Sequence, residues 1–280
     1  MGSVTYRDGT AIVQLFFFAA YLCCALFLCT KHGWYRSGGW LIIVLFSTLR
    51  IIGSGFQLST IDHPTRTAYA GALITESIGI APLVNINVGM LAWLNEYLRK
   101  KLHKIVFIMF FVASSTGIGL ASEGGARSAN TATPFSGNAL TQAAIVIFTV
   151  QYACVGIVAS IIYAQRREIA RLELRLLVCT AACSPFIVVR LVYGLIANFS
   201  HDIRFNIFLG DTTIYFTMSV LMEIFAVGLC CIAGLMLEKM PRPNSKTSEP
   251  GTVELSEGIL HQRASGELSG LPQEGVESHK

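Results

Sequence analysis

The chain has 280 residues, of which 53% are hydrophobic and only 14% charged, with a formal net charge of +4. A soluble protein this apolar would have little with which to make a surface, and a mean hydropathy of +0.57 points to a membrane. The basic residues sit in short loops between apolar runs; nucleic-acid binding would instead need a folded basic face, so no nucleic-acid partner is expected.

The N-terminus has no basic region followed by a small-residue cleavage site, so no removable signal peptide is expected there. Tyr6 stands where a myristoylation motif wants Ser or Thr. Seven apolar runs follow, at about 11–30, 39–59, 69–98, 105–121, 139–164, 176–199 and 215–238. Each approaches the roughly 20 residues needed to cross a hydrocarbon core. The expected fold is an all-α membrane protein, a seven-helix bundle with antiparallel neighbours, whose partner is the lipid bilayer.

Lys31 and Arg36 follow span 1, Arg99, Lys100, Lys101 and Lys104 follow span 3, Arg166, Arg167, Arg171 and Arg175 follow span 5, and Lys239 and Arg242 follow span 7. The other side holds only Arg7, Arg66, Arg127 and Arg204. The positive-inside rule then makes residues 1–10 a lumenal segment, 11–238 the membrane domain and 239–280 a cytosolic tail. That tail is rich in Pro, Ser, Gly and Glu, a composition that predicts disorder. Residues 122–138 read as a flexible outer loop. Asn198-Phe199-Ser200 is a glycosylation sequon abutting the membrane. Multi-pass insertion in the endoplasmic reticulum or another endomembrane follows.

Span 2 carries STLRIIGSG and span 6 IVVRLVYGL; span 3 carries TESIGIAP and span 7 LMEIFAVG. An arginine and a glutamate recur four spans apart, which suggests a 3+1+3 parallel repeat joined by span 4. Counting about 1.5 Å per residue puts Arg50, Glu76, Arg190 and Glu223 at one depth, about 12–15 Å below the outer surface. Unpaired charges there are costly, so the four should face inward as two Arg–Glu pairs. Such pairs either fix helix register or floor a polar cavity with an acid able to hold and deliver a proton.

The remaining polar residues carry weaker signals. Asn85 and Asn87 cannot face one direction, being two apart on a helix; one lines a cavity and the other bonds a neighbouring helix. Asp211 reads as an N-cap of span 7 or an acid at its mouth. Asp62, His63, His201 and Asp202 read as solvated loop residues. Pro82 and Pro185 are expected to kink spans 3 and 6, and Gly53-Ser54-Gly55 to allow close helix approach. Phe56, Phe186, Tyr193 and Phe225 are packing residues or faces for a developing cation. All eight cysteines lie in apolar runs without a CxxC, as small hydrophobes do. No intramembrane histidine, zinc or haem motif, phosphate loop, dinucleotide glycine pattern, DDxxD, DxDD or GxSxG occurs, so no metal or organic cofactor is expected.

At RIIGSGFQL, Arg50–Leu58, and ESIGIAPLVNINVG, Glu76–Gly89, the chain resembles a group of fungal seven-span membrane proteins, most of which carry only a domain-of-unknown-function label. Some proteins of this kind resemble the integral-membrane terpene cyclases of fungal meroterpenoid clusters. That resemblance implies a lyase or isomerase of secondary metabolism, one that protonates an epoxide or olefin on a farnesyl-type chain attached to an aromatic head. The substrate would reach it from the bilayer and from other enzymes of the pathway. Glu76 or Glu223 would be the acid, Arg50 and Arg190 would set its ionisation, and Asn85, Phe56, Tyr193 and Asp211 would contact substrate. The alternative is a non-enzymatic small-solute transporter or receptor-like protein, for which a midplane polar site is equally suited.

Overall fold

The computed structural model describes residues 6–32, 38–62, 65–96, 98, 100–130, 138–166, 171–200, 203–205 and 210–237. The tail assigned to 239–280, and His63, His201 and Asp202, lie outside them. The described residues are all-helical: α1 (Tyr6–His32), α2 (Gly38–Asp62), α3 (Arg66–Ile78), α4 (Ile80–Asn95), α5 (Lys104–Asn130), α6 (Ala139–Ala164), α7 (Arg171–Phe199), a 3₁₀ turn at Ile203–Phe205, α8 (Thr212–Tyr215) and α9 (Leu221–Met236). Five π-helical residues, Phe216–Val220, join α8 to α9. With α3 and α4 counted as one span, and α8, the π stretch and α9 as another, seven helices are long and apolar enough to cross a membrane. Three starts, those of α3, α6 and α8, carry side-chain caps. Thr65 Oγ1 accepts from the Ala68 amide at 3.3 Å, and Asn138 forms a capping box with Thr141.

Consecutive spans pack side by side and α9 returns against α1, closing a ring of helices. The third span sits at its centre. Its first half, α3, packs on α2 and α5, and its second half, α4, on α2, α5, α6 and α7. In that span 78% of the most apolar window is buried, against 22–50% in the others, which therefore turn most of their surface outward. Such a distribution suits lipid, where apolar side chains need no burial in protein. Packing treats the two three-span sets unequally, since the third span is central and the seventh peripheral. Tyr21 Oη donates to the Ile224 carbonyl at 3.0 Å, and Lys31 Nζ donates to Leu235 and Leu237 carbonyls at 3.0 and 2.9 Å, stapling span 1 to the end of span 7.

Three local expectations change. Residues 122–130, read as loop, continue α5 as helix. The glycines at 124 and 125 explain it: a side chain at either would press on Thr141 or Ile74, so their absence lets the helix run close to α6 and α3. Asn138 Nδ2 then donates to the Gly124 carbonyl at 2.9 Å. Span 3 is interrupted at Gly79 and not at Pro82 itself. Proline lacks the N–H that would bond the carbonyl four residues back, that of Ile78, and its ring crowds that carbonyl. Pro185, by contrast, lies inside an uninterrupted α7. Of the 53–55 stretch, Gly53 is the close approach: a Cβ there would lie 2.7 Å from Thr75 Oγ1, whereas Gly55 faces open space.

Candidate functional site

Arg50 of α2, Glu76 of α3, Arg190 of α7 and Glu223 of α9 meet inside the ring, each 6% exposed or less. They form a closed cycle of alternating charge and not two separate pairs. Arg50 Nη1 donates to Glu76 Oε2 at 2.5 Å, and Arg50 Nη2 donates to Glu223 Oε1. Arg190 Nη2 donates to Glu76 Oε1 at 2.7 Å, and Arg190 Nε to Glu223 Oε1 at 2.8 Å. The cycle is neutral, and every member touches both residues of opposite sign. Two hydroxyls from span 7 complete Glu76: Tyr215 Oη donates to Oε2 at 3.1 Å and Ser219 Oγ to Oε1 at 2.9 Å. Glu223 Oε2 and Arg50 Nε have no hydrogen-bond partner among the described residues.

Local structure makes room for this cycle. A Cβ at position 79 would lie 2.5 Å from Arg50 Nη2 and 2.7 Å from its Cζ, so the guanidinium passes where only glycine leaves space. The Arg50 guanidinium lies over the Phe46 ring at 5.3 Å and that of Arg190 over Tyr193 at 5.7 Å, which extends its contacts beyond the acids. In the π stretch the turn widens, and Tyr215, Ser219 and Glu223 all reach the cycle from span 7.

On the N-terminal side a polar cavity of about 30 Å³ leads to Arg50 and Glu76, lined also by Arg7, Thr10, Gln14, Gln57 and Thr75. A second, of about 20 Å³, touches Glu76, Arg190 and Tyr193. Each holds roughly one water. The large space is elsewhere: about 390 Å³ between α6 and α7, with Asn87, Tyr152, Thr180 and Ser184 on its wall. No residue of the charge cycle lines that groove, which is bounded by residues farther along the same two helices that flank the smaller cavity at Arg190.

Asn85 belongs to neither cavity. Its Oδ1 accepts from Ser114 Oγ at 2.8 Å and from Gln151 Nε2 at 3.2 Å, a buried triad joining spans 3, 4 and 5. Asn87 turns the other way, as its spacing requires, and donates from Nδ2 to Tyr152 Oη at 3.3 Å. Asp211 is the N-cap of α8, accepting from the Thr213 amide at 2.8 Å. Phe56 lies beneath Gly71, where a Cβ would meet its ring at 2.9 Å. Tyr193 is buried beside the cycle, with its ring centre 6.4 Å from that of Tyr215. The sequence did not single out Tyr215, Ser219, Ser114, Gln151, Tyr152 or Ser184. Hydroxyls and amides are common in spanning helices, and only the contact across helices distinguishes these. Cys179, Cys183 and Cys230 cluster in the core, where Cys183 donates to the Ala226 carbonyl and Cys179 to that of Leu229.

Fold and interior define a multi-pass, all-helical membrane protein built around a buried, neutral cycle of four charges. The chain belongs to the family described as DUF7702, a domain of unknown function, whose model matches residues 4–240. No curated protein and no solved structure matches it.

Proposed function

We propose that the protein is a non-enzymatic, solute-binding membrane protein of the transporter or receptor class, with the charge cycle as its interior lock. One observation carries this reading: both carboxylates are held by two guanidiniums each, beside cavities with room for about one water. Among the described residues the cavities beside these acids have no room for a prenyl chain, whereas a small anion has only to displace the water there. The N-terminal cavity brings the guanidiniums of Arg7 and Arg50 to one small polar space, donors of the kind that hold a small anion. Its entry opens the mouth and competes with Glu76 for Arg50. Loop charges support a lumenal N-terminus and a cytosolic C-terminus in an endomembrane. The alternation of Arg50, Glu76, Arg190 and Glu223 from corresponding spans is what a 3+1+3 duplication would leave.

The test is thermal unfolding of purified protein against a panel of small carboxylates and phosphates. At least one should raise the midpoint by a few degrees, and Gln57→Leu at the mouth should reduce that rise without altering the ligand-free midpoint. Uptake of the same anion into proteoliposomes then identifies a transporter, and binding without uptake a receptor. No stabilisation by any anion of the panel sinks this reading.

A second reading, the integral-membrane terpene cyclase, is favoured by Glu223 Oε2, a buried carboxylate oxygen with no hydrogen-bond partner among the described residues and so a place for a proton. Co-expression with a prenylated phenol epoxide should then yield a cyclised product. Glu223→Gln should lower turnover at least about a hundredfold, the scale of general acid catalysis. Unchanged turnover in both Glu223→Gln and Glu76→Gln excludes proton donation by either acid.

A further inference from the structure

The groove of about 390 Å³ between α6 and α7 is used by neither reading. Its size falls in the range of small-molecule sites. Its outer edge is made by exposed small residues, Gly156 and Ser160 on one helix and Ala181 on the other, so it opens sideways from the bundle, toward lipid. Its inner wall is polar. Asn87 Nδ2 donates to Tyr152 Oη at 3.3 Å, and Tyr152 Oη donates to Ser184 Oγ at 3.0 Å. Asn87 itself is 1% exposed, and its Oδ1 accepts no hydrogen bond among the described residues. A buried amide oxygen without a donor is disfavoured; Asn87 Oδ1 is closed off from the groove in this structure, and an O–H or N–H brought to that wall satisfies it once the amide turns toward the groove.

We propose that this groove binds a membrane-dissolved alcohol, an apolar chain or ring system whose hydroxyl donates to Asn87 Oδ1. Lateral opening selects ligands that partition into the bilayer and disfavours free polar solutes. At the roughly 30 Å³ that a water takes in the liquid, the groove holds on the order of a dozen heavy atoms, with any longer tail left in the lipid. Among the described residues no charged side chain lines the wall, and the guanidinium of Arg166 is stacked on the Tyr163 ring at 4.3 Å, which disfavours a phosphate or carboxylate head. An ether or hydrocarbon of the same shape fits the walls but leaves Asn87 Oδ1 unsatisfied. The site stands apart from the charge cycle, so its fate is independent of the solute and cyclase readings.

The experiment uses the full chain in nanodiscs, with farnesol and farnesyl methyl ether as probes, read as the shift in thermal unfolding midpoint against mole fraction of probe. Both molecules enter the lipid, and only the alcohol can donate. Farnesol should reach half-effect at about tenfold lower mole fraction than the ether, the difference made by one buried hydrogen bond. Asn87→Leu should erase that preference. A Cβ at position 156 meets nothing within 4 Å, so Gly156→Leu adds bulk at the groove's lateral opening and should abolish the response to both probes, at a probe-free midpoint no lower than the native one. Equal half-effects of alcohol and ether on the native chain, no response to farnesol, or a farnesol response that survives Gly156→Leu each overturn the assignment.

Discussion

Arg50 touches Glu76 and Glu223, and Arg190 touches the same two acids, so deleting one arginine leaves two buried carboxylates sharing the other. Arg50→Leu should therefore cost about 3–5 kcal/mol, the scale of an uncompensated interior charge. Arg50→Leu with Glu76→Leu leaves a neutral remainder, Arg190 on Glu223 at 2.8 Å, and should recover more than half of that loss. Thermal unfolding of the two single variants and the double decides it; losses that simply add would mean that the four residues do not act as a unit. The four charges were legible in the sequence because an ion in an apolar run needs an inward-facing partner. Their crossed bonding was not, since Arg50 and Glu223 stand 173 positions apart and only packing brings them together. Asn85 and Asn87 were legible as opposed in direction from spacing alone, but not as bonded to Gln151 and Tyr152.

Six of the seven spans were legible to within about five residues because each is a long apolar run, and hydropathy requires no knowledge of neighbours; span 4 runs past its apolar run to Asn130. What escaped was helix irregularity. Gly79 breaks span 3 because a guanidinium lies against it and a proline follows three residues later, and the first of these is a tertiary fact. The π stretch at Phe216–Val220 leaves no signature in FTMSV. Its consequence is testable. Tyr215→Phe removes the hydroxyl that this stretch brings to Glu76, a cost of about 1–3 kcal/mol for a buried acceptor left short. Thr217→Ala, at an exposed side chain that bonds only within its own helix, should leave the unfolding midpoint unchanged. Equal midpoints for Tyr215→Phe and the native chain would mean that the hydroxyl does not help to hold Glu76.

Reporters test the molecule as a whole. Fusions should place Met1 in the lumen and Lys280 in the cytosol, and removing 245–280 should leave anion binding within a few-fold, because that segment has little apolar surface with which to dock. Protection of a tag at Lys280 from protease added to the cytosolic side would reverse the orientation. The cycle of charges also has a consequence in time. A ribosome adding about 5–20 residues per second delivers Glu223 on the order of ten seconds after Glu76, 147 positions earlier. Until Arg190 emerges, 114 positions after Glu76, the nascent third span has one counter-ion of the cycle within reach, Arg50, which the preceding span has already carried in. Arg190 and Glu223 likewise arrive in adjoining spans. Insertion thus proceeds through two electrically neutral hairpins, and the crossed bonds of the finished protein form only when those hairpins meet. Exchanging Arg50 with Glu223 would keep the total charge but put two acids in the first hairpin and two bases in the last. It would also set like charges against each other at the 50–76 and 190–223 contacts, so the translocation machinery would meet first the same mismatch that the finished cycle meets later.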